Sequence, residues 1–517
     1  MRLADTSAVR DAPPEALSTV DVDHAGEPLA RIILTFVVAV TATACSPLLH
    51  VVSPMLAIAV ETLVAIAIAI AMPAQGPVIA IFLMMFQNLF VSLFSPLVAE
   101  PSELEFLKGY NFLICAVLWL VAFARAAVSR RSPALNRLLL TSTAVLGVMG
   151  IYFMIGLARE PKAAAIYLRN IALPILLFQL ALLAAANHRI RVTPYVVTIA
   201  VLVLICGGIE FAFRDAWLDI TNGHAYWRLE EIKATNSGVW EREMRATGKV
   251  IVGIKDLFVV DFFNTSLLSG LGLGQMLRLY GPNISPVSFA YGVGFFALFL
   301  LAVGRRVLGA LAFALMLLCG VKGAAIMVLF VVAAWIGTTL VGPVLVLGGA
   351  VVVLAVYAAV LIRTGLQIGD YHVIGLMGGV NGFLHAPLGR GLGLGGNLTE
   401  GFSGINWQAA QQAGAVEGAA ESSIGVLLYQ MGVAALIPLG FYVLVALACW
   451  RLYARSGILL LGLAAFGILV VLTNGLFQEE AMFAPPAMGF LMLLAGLLLG
   501  SQARQQTAAA VNPEIRK

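Results

Sequence analysis

Pro343-Val-Leu-Val-Leu-Gly-Gly-Ala-Val-Val-Val-Leu-Ala-Val-Tyr-Ala-Ala-Val-Leu-Ile362 runs for twenty residues without a charge and stops at Arg363. A helix rises about 1.5 Å per residue, so such a run matches the roughly 30 Å hydrocarbon core of a bilayer. Its apolar residues are continuous rather than alternating, which fits a helix and not a strand of a membrane barrel. The stretch is one of many. Of 517 residues, 61% are hydrophobic and 11% charged, with a mean hydropathy of +0.97. A soluble chain lies near 45–50% apolar and about 25% charged. The composition predicts an all-α polytopic membrane protein and excludes an ordinary soluble domain.

Working outward, the sequence contains fourteen candidate spans: 32–49, 54–72, 77–98, 110–127, 137–157, 165–186, 194–213, 286–303, 306–320, 322–340, 343–362, 421–450, 456–473 and 482–500. Basic residues cluster between them at Arg125, Arg130, Arg131 and Arg137, at Arg189 and Arg191, at Arg305 and Arg306, at Arg451 and Arg455, and in the tail at Arg504, Arg516 and Lys517. The acidic or mixed connections are Glu100-Glu103-Glu105, Arg159-Glu160-Lys162 and Glu479-Glu480. With fourteen spans the two sets fall on opposite sides, and the positive-inside rule puts both termini in the cytoplasm.

The expected organisation is a disordered cytoplasmic tail (1–30), a first transmembrane bundle (31–213) and an external loop (214–285). A second transmembrane group (286–362), a second external loop (363–420), C-terminal transmembrane helices (421–500) and a cytoplasmic tail (501–517) follow. No cleavable leader is evident in the polar first 30 residues. Two long connections on one face suggest a joint site, since loops of this length are uncommon without a function. The apolar stretch 249–263 in the first is expected to pack on the bundle or lie in the interface. The second is rich in Gly and reads as non-helical.

Several chemistries find no support. There is no HExxH, no paired Cys and no Asp-rich cluster, so no metal or other cofactor is expected. The five cysteines all fall in apolar runs and read as small packing residues. Gly389-Arg390-Gly-Leu-Gly-Leu-Gly-Gly396 follows no strand and lacks Gly-Lys-Ser/Thr, which argues against a nucleotide loop. What remains is a set of polar residues at the predicted outer ends of spans, Arg169, Arg278, Lys322, Arg363 and Glu421, and others in the external loops, Tyr280, His372, His385 and Arg390. Each has a plain alternative. Arg169 and Lys322 suit snorkelling cations, Glu421 with Ser422 and Ser423 suits a helix cap, and the histidines suit satisfied loop residues. Several cations on one face nevertheless suit an anionic ligand such as a lipid diphosphate.

These residues lie in short motifs whose order resembles the O-antigen ligase/polymerase family of bacterial membrane glycosyltransferases, most closely its exopolysaccharide-polymerase branch. The carriers are Phe86-Gln-Asn-Leu-Phe90; Tyr167-Leu-Arg-Asn170 with Pro174; Arg278-Leu-Tyr-Gly281 followed by Ser285-Pro286; His385-Ala-Pro-Leu-Gly-Arg390-Gly; and Glu421-Ser-Ser-Ile-Gly425 through Gly432. The likeness spans roughly residues 80–450. It implies a GT-C-like fold with a large external loop in a bacterial cytoplasmic membrane. It also implies a substrate glycan on undecaprenyl diphosphate, polymerised into an exopolysaccharide at the outer face. The partners implied are that lipid-linked glycan, membrane lipid, a flippase and a chain-length regulator; no nucleic acid is expected. On this reading Arg278, Glu421 and His372 are catalytic, and Arg169, Lys322, Arg363, Arg390, His385 and Tyr280 bind substrate. Glycan transfer to another acceptor, as in the ligases, and flipping of the lipid-linked oligosaccharide are the alternatives. The chain departs from the family where many members carry Ser-Arg and this one has Val321-Lys322. Neither His372 nor His385 matches the ligase histidine motif.

Overall fold

A computed structural model describes residues 27–128, 132–236, 258–261, 275–399, 402 and 405–511. The first helices are α1 (Leu29–Val52), α2 (Pro54–Ala71), α3 (Gly76–Leu93), α4 (Pro101–Leu107), α5 (Tyr110–Ala127), α6 (Pro133–Leu157), α7 (Pro161–Asn187) and α8 (Val192–Ala212). Two short helices, α9 (Arg214–Ile220) and α10 (Gly223–Asn236), and an antiparallel pair, β1 (Val259–Asp261) with β2 (Gln275–Leu277), precede α11 (Pro286–Ala302). The chain continues through α12 (Arg306–Leu317), α13 (Lys322–Val341), α14 (Pro343–Ile368), α15 (Tyr371–His385) and α16 (Trp407–Ala413). It ends with α17 (Ser423–Met431), α18 (Leu436–Ser456), α19 (Leu459–Asn474), α20 (Glu479–Phe483) and α21 (Phe490–Val511).

Proline begins many of these helices, at positions 54, 101, 133, 161, 286 and 343. Its missing N–H costs nothing in a first turn, and its fixed φ is already helical. Among the described residues, eleven helical segments are long and apolar enough to cross a membrane, and three shorter apolar helices occupy 286–302, 306–317 and 459–474. The protein is therefore an all-α, multi-pass membrane protein.

Burial separates the helices into layers. Some 94% of the final span, 83% of α7 and 78% of α3 are buried, against 11% of α14. At the centre, α21 lies against α7 through Gly496-Leu-Leu-Leu-Gly500. A Cβ at Gly496 would come 3.0 Å from Ala181 Cβ and closer still to the Phe178 carbonyl, and one at Gly500 would meet Ala185 and Leu182 in the same way. Lipid tails are as apolar as side chains, so helices in a bilayer associate by such close packing, which small residues permit.

Three expectations change. Residues 363–420 are not a loop throughout: α14 extends to Ile368, α15 fills Tyr371–His385, and α16 is a further short helix. The glycines of α15 serve close packing against α17 and the chain leading into it, not chain reversal. A Cβ on Gly379 would fall 2.5 Å from the Gly425 carbonyl carbon of α17, and Gly375 and Gly382 are equally confined against Ala420 and Tyr429. The stretch 214–285 likewise contains helices and a strand pair. The last helix runs to Val511, well into the expected tail. Most of the expected N-terminal tail and most of the apolar stretch 249–263 lie outside the described residues.

Candidate functional site

A cavity of about 620 Å³ forms where the ends of α13, α14, α15 and α19 meet the chain leading into α11. Arg278, Lys322, Asp370, His372, Asn474 and Gln478 supply its polar lining. Tyr357, Leu361 and Ile368 of α14, with Phe477, form an apolar wall.

Arg278 is held from several directions. Its N–H donates to the Phe258 carbonyl at 2.6 Å, and its Nε donates to the Cys319 carbonyl at 3.0 Å. The Arg278 carbonyl accepts from Arg214 at 2.6 Å. The next residues are fixed by the buried Glu210 carboxylate, which accepts from the N–H groups of Tyr280 (3.0 Å) and Gly281 (2.6 Å) and pairs with Arg214 at 3.2 Å. Burial lowers the Arg278 guanidinium from its ordinary value, yet an arginine so far above neutrality keeps its charge.

Lys322 is the first residue of α13, and no side chain caps this helix start. A helix N-terminus presents unpaired N–H groups and a partial positive charge. The Lys322 side chain adds its own charge to that of the helix end, so the two together give this side of the cavity a cationic character suited to an anion.

On the other side, Asp370 caps α15 by accepting from the N–H groups of His372 (3.0 Å) and Val373 (3.3 Å). His372 Nδ1 then lies 3.3 Å from Glu421 Oε2, an ion-pair distance without the alignment of a full hydrogen bond. Burial pulls the imidazole pKa down, but Glu421, Asp370 and Glu480 outweigh it and the net shift is upward. Glu421 is not the helix cap. Ser422 caps α17, its hydroxyl accepting from the Gly425 N–H at 3.0 Å. Glu421 instead adopts φ 57°, a left-handed conformation unusual for a residue with a side chain, and its N–H is fixed by Asn397 Oδ1 at 2.8 Å. Strained backbone persists where surrounding contacts impose it, and such places cluster at functional sites.

Two further acids belong to this region. Glu480 is close enough to Glu421, His372 and Arg278 to feel their charges, and burial raises its pKa. Glu479 is buried; Tyr167 donates its O–H to Oε1 at 2.7 Å, and Asn397 its N–H to Oε2 at 3.0 Å. Burial pushes the Glu479 carboxyl up to about 8. In the sequence both stand only as an acidic connection between spans. Their signal was there: two adjacent carboxylates with Phe477 on one side and Ala481-Met-Phe483 on the other.

The glycine-rich run does not line the cavity. The N–H groups of Arg390 and Gly391 both donate to the Gln430 carbonyl at 2.9 Å, Leu392 N–H to Tyr152 at 3.0 Å and Gly396 N–H to Ala419 at 2.7 Å. Gly393 packs on the backbone of Ala163 and Ala164, and Gly396 on the Tyr167 ring and hydroxyl. The close approach that glycine permits is made to the protein's own helices.

The structure thus brings Arg278, Lys322, His372 and Glu421 together and leaves the other candidates elsewhere. Arg169 lines a separate polar cavity of about 150 Å³ with Asn88, Asn111, Asn170 and Asn283. Arg390 stacks over the Tyr429 ring at 4.1 Å and donates to the Gly382 carbonyl at 2.9 Å, a strut rather than a lining residue. His385 is exposed and bonds within its own helix to the Asn381 carbonyl at 2.8 Å. Tyr280 is buried in an aromatic cluster with Trp227 and Phe258. Arg363 is exposed on α14 and outside the cavity lining. Among the described residues no group of three or more His, Cys, Asp or Glu is arranged to hold a metal ion. Compared with known proteins, the chain matches no family model, no curated protein and no solved structure.

Proposed function

We propose that the protein transfers a glycan from a lipid diphosphate carrier, extending a polysaccharide at the external face of a bacterial cytoplasmic membrane. One observation carries the reading: a single cavity at the helix ends of a membrane bundle joins a cationic side to a histidine–carboxylate pair. Arg278, Lys322 and the α13 N-terminus form the cationic side; His372 lines the other and pairs at 3.3 Å with Glu421, which itself lies outside the lining. Breaking the bond between an anomeric carbon and a diphosphate releases negative charge onto the departing phosphate. Arg278 and Lys322 stabilise that charge in a partly dehydrated site. The acceptor hydroxyl loses a proton as it attacks; neutral His372 takes it, and Glu421 stabilises the imidazolium that results. The apolar wall of α14 suits a substrate tethered to lipid. The sequence resemblance supports the same chemistry. Charges gathered at helix ends, rather than at broken helices near the midplane, favour an enzyme over a flippase. Transfer to a different acceptor distinguishes a ligase from a polymerase and uses the same cavity.

The test uses purified protein in lipid with a lipid-diphosphate-linked repeat unit and no nucleotide. The expected product is a ladder of longer glycans. Arg278→Ala should lower its rate by about a hundredfold or more, the loss that removing one charge-stabilising donor typically produces. Near-normal polymer from that folded, inserted variant removes Arg278 from the mechanism. Transfer only to an added second acceptor replaces polymerase with ligase.

A further inference from the structure

At the other end of the bundle a second feature has no part in this chemistry. From Tyr167 beside the site to Asn187, α7 runs twenty residues, which at the helical rise is about 30 Å, the thickness of the hydrocarbon core. There, between α2, α3, α5 and α7, lies a cavity of about 220 Å³. Its inner wall is apolar: Leu118, Ala122, Leu180 and Leu183. Its mouth is polar and cationic: Arg125, Asn187 and His188. Among the described residues no acidic side chain lines it. Small residues leave the space open, among them Ala69, Gly76 and Ala184, although protein interiors ordinarily fill such voids. A second cavity, whose lining includes Arg189, also carries Arg31 and Arg191, both paired with Glu27, at 3.0 and 3.7 Å.

We infer that this cavity is a binding site for an anionic phospholipid, the headgroup phosphate at Arg125, Asn187 and His188 and an acyl chain along the leucine wall. The two halves match the two halves of the ligand. A guanidinium meets a phosphate with paired donors, and basic pockets between helices at a membrane surface select anionic headgroups. The apolar half excludes a small free anion as the natural occupant, since an anion alone leaves the leucine wall uncovered. Filling the cavity ties four helices together at the end remote from the catalytic cavity. The inference is independent of the proposed glycan transfer.

The experiment uses the full chain in neutral detergent, with bound lipid counted by native mass spectrometry. Dioleoyl phosphatidylglycerol is compared with dioleoyl phosphatidylcholine. The wild type should retain the anionic lipid about fivefold more tightly, the size of one arginine's attraction to an anionic surface. Arg125→Ala should bring the two lipids to near parity. Leu183→Trp, which fills the apolar half and leaves every charge in place, should lower retention of the anionic lipid, and it serves if Arg125→Ala fails to fold. Equal retention of both lipids by the wild type overturns the inference, as does unchanged phosphatidylglycerol binding in both variants. Inorganic phosphate that binds at similar concentration and displaces the lipid also overturns it, in favour of a free-anion site.

Discussion

Gly379→Ala tests whether the geometry of the candidate site depends on the close contact between α15 and α17. The new Cβ falls 2.5 Å from the Gly425 carbonyl carbon, with the Gly425 Cα and O nearer still. All three are backbone atoms, so no side chain can swing aside. Ordinary carbon contacts begin near 3.5 Å, so the two helices must part by about 1 Å. Overpacking of this kind costs about 1–3 kcal/mol. Helix propensity alone has the opposite sign, since alanine is favoured over glycine by up to about 1 kcal/mol. Gly348→Ala in α14 is the matched control, because a Cβ there meets nothing within 4 Å. In thermal melts of the detergent-solubilised protein, Gly379→Ala should melt roughly 2–5 °C lower than wild type, and Gly348→Ala should be level or slightly higher. His372 begins the helix that moves, about 10 Å along it from Gly379, so glycan transfer should fall with the stability. Equal melting temperatures for the two variants would refute the packing argument.

Two further predictions concern protonation. In Glu421→Gln the largest of the influences that raise His372 is lost, so the rise of activity with pH should move to lower pH than in wild type. Because the folded pKa of His372 is raised, the pair's stabilising contribution is present below the ordinary histidine value and lost as pH rises through the raised one; melts across that window should be flatter in Glu421→Gln. Glu479, pushed up to about 8, is largely neutral at pH 7, so Glu479→Gln should fold and melt near wild type at that pH, whereas Glu479→Leu, which strands the Tyr167 hydroxyl and the Asn397 N–H, should melt lower. Wild-type stability should decline as pH rises from the ordinary carboxylate value toward 8, and Glu479→Gln should lack that decline.

The membrane architecture was legible because hydrocarbon imposes a long apolar run that composition cannot hide; the run from Pro343 to Ile362 lies within one helix, which continues past it to Ile368. Residues 371–385 were not legible. Tyr-His-Val-Ile-Gly-Leu-Met-Gly-Gly-Val-Asn-Gly-Phe-Leu-His looks like a loop because glycine density is the usual mark of one, and only the partner helix reveals that these glycines are contacts. Of the candidate site, Arg278, Lys322 and His372 were found as isolated polar residues flanked by apolar ones, a local property. That Glu421 faces His372 while Ser422 takes the capping role depends on one backbone angle, which no pattern encodes. Arg390, Tyr280 and Arg169 have the same local signature as Arg278 and different destinations, because a cation or phenol at a helix end serves a strut, an aromatic cluster or a second cavity equally well.

The exposure of α14 bears on how a substrate arrives. Its membrane-crossing stretch is only 11% buried, yet Tyr357, Leu361, Thr364 and Ile368 of the same helix line the cavity. Along that side a single helix stands between the candidate site and the acyl chains of the bilayer. A molecule anchored by a long hydrocarbon tail therefore has a short sideways path to Arg278, with its tail still dissolved in lipid. A molecule approaching through water gains nothing from that wall. The doorway suggested by this geometry faces the membrane, and traffic through it depends on how far α14 leans rather than on how far a loop lifts.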